Sequence, residues 1–194
     1  TLFALLQQQA TRDSLAYAQA HMKSALVTRS PNSIIQVALK NISLSGSILE
    51  FGVFNGKSLF QIAEGIQPRA VHGFDSFVGL PEGGKGTLWL KGMFDQKGKL
   101  PPVLENVQLH KGWFEDSIPV FLAENKEDIA FMHLDPDLYS SHKTVFDLTA
   151  SRIKPGTIIL FDDYFDFVNW QDHGFKAFQE FVEQTKVKYE YLAF

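Results

Sequence analysis

The sequence predicts an α/β protein with a doubly wound, mostly parallel sheet and a helical N-terminal arm. Three observations lead there. From Ile48 onward, apolar runs of about seven residues alternate with amphipathic stretches of helical period. Four of the runs are apolar throughout, as in strands covered on both faces. The joining segments are short, and repeated strand–helix–strand units with short connections make parallel neighbours.

The elements follow in order. Leu2 to Arg29 is rich in Ala, Leu, Gln and Met and lacks Gly and Pro, which predicts a helical arm with an apolar face at Leu2, Leu5 and Leu6. A second helix starts at Pro31 behind Ser30 and carries Ile34, Ile35, Ala38, Leu39 and Ile42 at amphipathic spacing, until Ser43 to Ser47 break it. The predicted strands are Ile48 to Val53, Ala70 to Ser76, Val107 to Trp113, Ile129 to Asp135, Thr157 to Asp163 and Tyr189 to Phe194. Between them lie helices at Ser58 to Gly65, Ser117 to Asn125, Ser141 to Ile153 and Phe175 to Lys186. One connection is long. Residues 79–106 hold Gly79, Gly83, Gly84, Gly86, Gly92 and Gly98 with Pro81, Pro101 and Pro102, the composition of a functional or mobile loop. The expected organisation is thus an arm over 1–46 packed on one domain over 47–194, with an insertion at 79–106.

Composition narrows the function. The 194 residues suit one compact domain, and 45% apolar content with 18 Phe supplies a core and excludes bulk disorder. With 18 basic and 22 acidic side chains the net charge is −4, so no general field draws nucleic acid or an anionic membrane. No apolar run reaches the roughly 20 residues of a span, and Thr1 to Ala20 lack the order of a signal peptide. A soluble, cytoplasmic protein is expected; the chain does not begin with Met, so the two ends need not both be natural ones. The absence of cysteine removes disulfides, thiolate metal sites and thiol nucleophiles, leaving oxygen or imidazole to hold any metal.

In an open parallel sheet, ligands bind beyond the carboxyl ends of the strands. The first strand runs into Glu50-Phe51-Gly52-Val53-Phe54-Asn55-Gly56-Lys57-Ser58, a turn where Gly52 and Gly56 let backbone approach a ligand. Asp75 ends the second strand, 23 residues after Gly52, where a carboxylate can accept from ribose hydroxyls. The E-x-G-x-x-x-G pattern lacks the third glycine of a dinucleotide turn, and an acid at Glu50 suits a cationic amino-acid group better than a pyrophosphate. Gly112-Trp113-Phe114 ends the third strand with two rings that could sandwich a purine or belong to the core. Asp135 and the pair Asp162-Asp163 end the fourth and fifth strands. Three converging carboxylates repel unless a cation lies between them, and a hard divalent ion such as Mg²⁺ resolves the conflict. Asp137 is read instead as a helix cap or a solvent-facing acid. His133, a step inside the sheet, is expected to be a hydrogen-bonded structural residue, whereas His173 is the better candidate base.

These stretches resemble class I S-adenosylmethionine-dependent methyltransferases, and within them the macrocin O-methyltransferase family of sugar-modifying enzymes. The resemblance is carried by Leu49 to Val53 with Gly56 and Ser58, Gly73 to Phe77 with Gly79-Leu80-Pro81-Glu82, Gly112 to Phe114, His133 to Ser141, and Lys154-Pro155-Gly156 leading to Asp162-Asp163-Tyr164. It spans about residues 47 to 185. It implies a Rossmann-like methyltransferase sheet and methyl transfer from S-adenosylmethionine to an oxygen. The methionine part would lie over Glu50, Gly52 and Ser58, the ribose on Asp75, and the adenine beside Ser76-Phe77 and Trp113-Phe114. Mg²⁺ would be held by Asp135, Asp162 and Asp163, with Asp135 or His173 taking the proton. The implied acceptor is a small hydroxylated molecule such as a sugar or natural product, chosen by the 79–106 insertion. The chain departs from enzymes of this fold in showing one strand, Tyr189 to Phe194, where they end in a hairpin. Two other classes answer to the same residues: an NAD(P)-dependent oxidoreductase, disfavoured by the glycine pattern, and a non-catalytic nucleoside-binding domain. The apolar arm could pack on a second copy in a homo-oligomer or cover its own sheet.

Overall fold

The computed structural model describes residues 1–194, the side chain of Pro31 excepted. Five strands, β1 (Ser47–Phe51), β2 (Val71–Asp75), β3 (Val107–Lys111), β4 (Ile129–Leu134) and β5 (Ile153–Phe161), form one sheet in the order β3-β2-β1-β4-β5. Every pairing is parallel. Six α-helices accompany them: α1 (Leu2–His21), α2 (Pro31–Lys40), α3 (Lys57–Gly65), α4 (Phe114–Glu124), α5 (Tyr139–Thr149) and α6 (Gly174–Thr185). This is the doubly wound α/β fold expected from the apolar runs.

Strand order reverses at β1, so the chain fills one half of the sheet, returns to the centre beside β1, and leaves a crevice above the β1 and β4 tips. Side-chain alternation explains the two covered faces. Leu49, Phe51, Met132 and Leu134 join Phe121, Phe146, Phe178 and Phe181 on the α4–α6 face. Ile48, Val71, Phe131 and Leu160 meet Ile35, Ala38, Leu59 and Ile62 on the α2–α3 face. In α6, Ala177, Phe178 and Phe181 are buried at helical spacing, and the helix stops where Lys186 takes a left-handed conformation.

Two expectations need correction, and a choice left open is narrowed. Tyr189 to Phe194 adds no strand to the sheet; it runs beside the segment after α1, bridging Leu26 to Ala193 through Phe194 N to Leu26 O at 2.9 Å and Leu26 N to Leu192 O at 2.9 Å. Its rings still serve packing, since the Tyr191 hydroxyl lies 2.7 Å from those of both Tyr17 and Tyr164. Of the two roles left open for the apolar face of α1, covering its own sheet is not the one seen: Leu2, Leu5 and Leu6 are exposed, and α1 buries Ala10 and Ser14. Strand β5 begins at Ile153, four residues before the predicted start, and carries a register irregularity between Ile153 and Ile158, opposite Ile129 and Phe131.

α1 is anchored by polar side chains. Gln7 Nε2 donates to Asp166 O at 2.8 Å, the Thr11 hydroxyl to Asp166 Oδ1 at 2.7 Å, and Asp166 N to Ser14 Oγ at 2.8 Å. These three residues share one face of the helix, and they hold Asp166 at a left-handed φ of 68°, just beyond the tip of β5.

Candidate functional site

A cleft of about 540 Å³ opens over the carboxyl ends of the strands, within the range of about 300–1,000 Å³ usual for small-molecule sites. Its floor is the turn after β1. Gly52 has a φ of 91°, and a Cβ there would lie 2.1 Å from the Asp135 carbonyl oxygen, so only glycine lets the β1 and β4 tips approach this closely. Asp135 N donates to Phe51 O at 2.9 Å across the same gap.

Asp75 faces the cleft from the tip of β2. Its Oδ2 accepts from Val53 N and Phe54 N, both at 2.8 Å, and its Oδ1 from Phe77 N at 2.7 Å. Three of the roughly four acceptor positions of the carboxylate are therefore engaged, two by the β1 turn and one by the chain just after β2, and the remainder is open to a ligand. Ser76, Gly112, Trp113 and Phe114 line the same wall. Phe114 is shared with the core, edge-on to Phe51 at 5.8 Å between ring centres.

Four of the residues proposed for cofactor contact are not on the cleft wall. Glu50 is wholly buried, and its Oε1 accepts the Ser58 hydroxyl at 2.5 Å and pairs with His133 Nδ1 at 2.9 Å. Ser58 is thus turned towards Glu50. Gly56 caps α3 in a left-handed conformation against Pro101. Phe77 is fully buried at a φ of 57°, and its carbonyl receives Gly98 N at 2.7 Å, which ties the insertion to the end of β2.

The acids at the tips of β4 and β5 gather around Asp135, but as two overlapping groups and not as the predicted trio of Asp135, Asp162 and Asp163. Asp162 N donates to Leu134 O at 3.0 Å, continuing the β4–β5 pairing past the strands, so Asp135, Asp162 and Asp163 all line the cleft. Carboxylate oxygens of Asp135, Asp137 and Asp163 lie within 4.8 Å of one another. So do a ring nitrogen of His133 and carboxylate oxygens of Asp135 and Asp162. Asp137 belongs to the cluster, not to a helix cap: its φ of 57° folds it back towards Asp163, and it is buried at 8% exposure. The Asp-Pro-Asp sequence marks a turn, which was the available signal.

Burial first, and mutual repulsion second, raise three of these acids, Asp135, Asp137 and Asp163. Burial, reinforced by Asp162 and Asp137, pushes the Asp135 carboxyl up to about 10. Burial and then Asp163 raise Asp137 to about 8, and burial and then Asp162 raise Asp163 to about 6. Acids so placed either keep protons or share a cation, and an all-oxygen set of this kind suits a hard divalent ion.

His173 does not join them. It is 3% exposed and absent from the cleft wall, with Nε2 3.3 Å from Lys85 O and its ring beside Trp89 and Phe167. Burial lowers its pKa, and Nδ1 is sealed without a partner. It fastens the insertion to the start of α6. The insertion expected to choose the acceptor does reach the cleft, through residues that the sequence did not single out as site residues: Trp89 and Phe94 with Glu82, whose carboxylate accepts the Ser140 hydroxyl at 2.6 Å.

Comparison with known proteins agrees with this fold. A family model described as a methyltransferase domain matches residues 49–164, more than half of the chain. The 8-demethyl-8-(2,3-dimethoxy-α-L-rhamnosyl)-tetracenomycin-C 4'-O-methyltransferase of Streptomyces olivaceus is 29% identical over 141 residues, covering 61% of this chain and 53% of its own. The chain thus spans about half the length of that relative. Among solved structures, CalS11, a calicheamicin methyltransferase, superposes with a TM-score of 0.62 at 23% identity, over 77% of this chain and 69% of its own. The O-methyltransferase NovP gives 0.61 at 20% identity, over 82% and 73%. At these identities the two structures speak for the fold.

Proposed function

The chain belongs to the methyltransferase-domain family, and from that premise we propose that it is an S-adenosylmethionine-dependent O-methyltransferase, assisted by Mg²⁺ and acting on a hydroxyl of a small molecule such as a glycosylated natural product. The observation that carries the reading is that Asp75 and the acids of β4 and β5 share one cleft. Its relative from Streptomyces olivaceus, named for a rhamnosyl-tetracenomycin acceptor, supports the acceptor class.

When bound, S-adenosylmethionine supplies a sulfonium methyl that passes to the acceptor oxygen while the C–S electron pair remains on sulfur. Asp75 would accept from the ribose with its remaining acceptor position, and the bare backbone at Gly52 would admit the methionine part. Trp113 and Phe114 would flank the adenine beside Ser76. Asp135, Asp162 and Asp163 would hold Mg²⁺, which lowers the pKa of a hydroxyl it binds. Of the two bases considered, only Asp135 lines the cleft, and it would receive the hydroxyl proton. The rings of Trp89 and Phe94 would exclude water and orient the acceptor, since alignment is the larger part of such a transfer.

Calorimetric titration tests the reading. S-adenosylmethionine and its demethylated product should bind and NAD(P) should not. Asp162→Asn and Asp163→Asn should abolish methyl transfer while largely sparing cofactor affinity, which Asp75→Ala should lose. Binding of NAD(P) instead, or equal loss of cofactor affinity in all three variants, would overturn it.

A further inference from the structure

We propose that His133 is a nitrogen ligand of the divalent-cation site, aimed by Glu50, and that the site therefore favours a first-row transition ion such as Mn²⁺ or Co²⁺ over Mg²⁺. The inference rests on the metal reading above and changes the identity of the ion. Glu50 and His133 face each other directly in the β1–β4 register, on strands whose residues are all buried. An ionisable pair there is costly compared with two apolar side chains, and packing alone does not call for it.

The hydrogen bonds give the pair a direction. Glu50 Oε1 holds His133 Nδ1 at 2.9 Å and is itself fixed by the Ser58 hydroxyl at 2.5 Å. With Oε1 acting as an acceptor towards both partners, Nδ1 is the donor of the pair and the lone pair stands on Nε2. His133 is 2% exposed, yet Nε2 makes no hydrogen bond and is not sealed from solvent, unlike the orphaned ring nitrogens of His142 and His173. With Nδ1 engaged, Nε2 is the nitrogen free to join the carboxylate oxygens of Asp135 and Asp162, which lie within 4.8 Å of a His133 ring nitrogen and of each other. A carboxylate that orients a ligating imidazole is the recurrent outer partner of metal-bound histidine. An imidazole among carboxylates moves preference from Mg²⁺ towards softer divalent ions.

The test loads the full chain with Mn²⁺ alone and records electron spin echo modulation from ¹⁴N. The expected spectrum shows a directly bound imidazole nitrogen, lost in His133→Asn. Glu50→Gln should retain it but bind Mn²⁺ about 10–100-fold more weakly, the usual effect of losing an outer partner. In competition, His133→Asn should lower the Co²⁺-over-Mg²⁺ preference at least about tenfold. Mn²⁺ bound in a form that Asp162→Asn abolishes, but with no nitrogen modulation, overturns the proposal and leaves the oxygen-only metal reading intact. No Mn²⁺ binding overturns both. Should His133→Asn fail to fold, the wild-type spectrum still decides.

Discussion

Acidification should destabilise the protein through His142, by an amount the structure allows to be worked out. The imidazole is buried on α5, its Nδ1 is 3.0 Å from Leu138 O, its Nε2 has no partner, and His173 is the nearby ionisable group. Burial lowers its pKa to about 4 from an ordinary 6.5. In the unfolded chain the ring takes up a proton near pH 6.5, whereas in the folded protein it stays neutral until about 4. The unfolded state therefore binds more protons across that window, and stability present above 6.5 is lost as the pH falls towards 4. At about 1.4 kcal/mol per tenfold change in proton affinity, the loss is about 3 kcal/mol, a large part of the 5–15 kcal/mol typical of a domain. The cleft acids oppose it: their folded pKa values are raised, so their contribution to stability falls as the pH rises. The quantity to measure is hence the difference between wild type and His142→Asn in urea unfolding from pH 4 to 7.5. That difference should narrow by about 3 kcal/mol on the way down. A difference constant to within about 0.5 kcal/mol would refute the reasoning.

Three further outcomes are expected. Gly52→Ala forces a Cβ to 2.1 Å from the Asp135 carbonyl oxygen at a left-handed φ, and should cost about 3 kcal/mol or more in chemical denaturation, together with ligand binding. Ser14→Ala removes the acceptor for Asp166 N and the donor to Ala10 O, and thermal or urea melts should register about 1 kcal/mol. Trp89→Ala withdraws a ring set against Phe167 and His173 at 5.3 and 5.2 Å; limited proteolysis should then cut first within 79–106, while the wild type resists there.

The central strands β1 and β4 were legible because they are apolar and buried throughout, whereas the edge strand β3, with Gln108 and Lys111 exposed, was legible by its place between helical stretches. The strand tips were legible by contrast, since Asp75, Asp135, Asp162 and Asp163 each interrupt an apolar run. What sequence spacing could not reveal were pairings across the chain. Glu50 looked like a residue of the ligand turn, but its partner His133 lies 83 positions away and draws it under the floor. His173 looked free to act as a base until the insertion, arriving from Lys85, covered it. Tyr189 to Phe194 has the composition of a strand, and only the fold decides that its partner is Leu26 to Thr28 and not β5. Asp137 turned on one backbone angle, which Asp-Pro-Asp permits without requiring.

The grip of Gln7, Thr11 and Ser14 on Asp166 makes α1 a splint for the loop that presents Asp162 and Asp163. Such a splint can be tuned from afar. Substitutions along one stripe of a helix that never touches the cleft would tighten or slacken the spacing of two acids inside it, so variation in α1 offers a way to adjust what those acids hold without altering any of them.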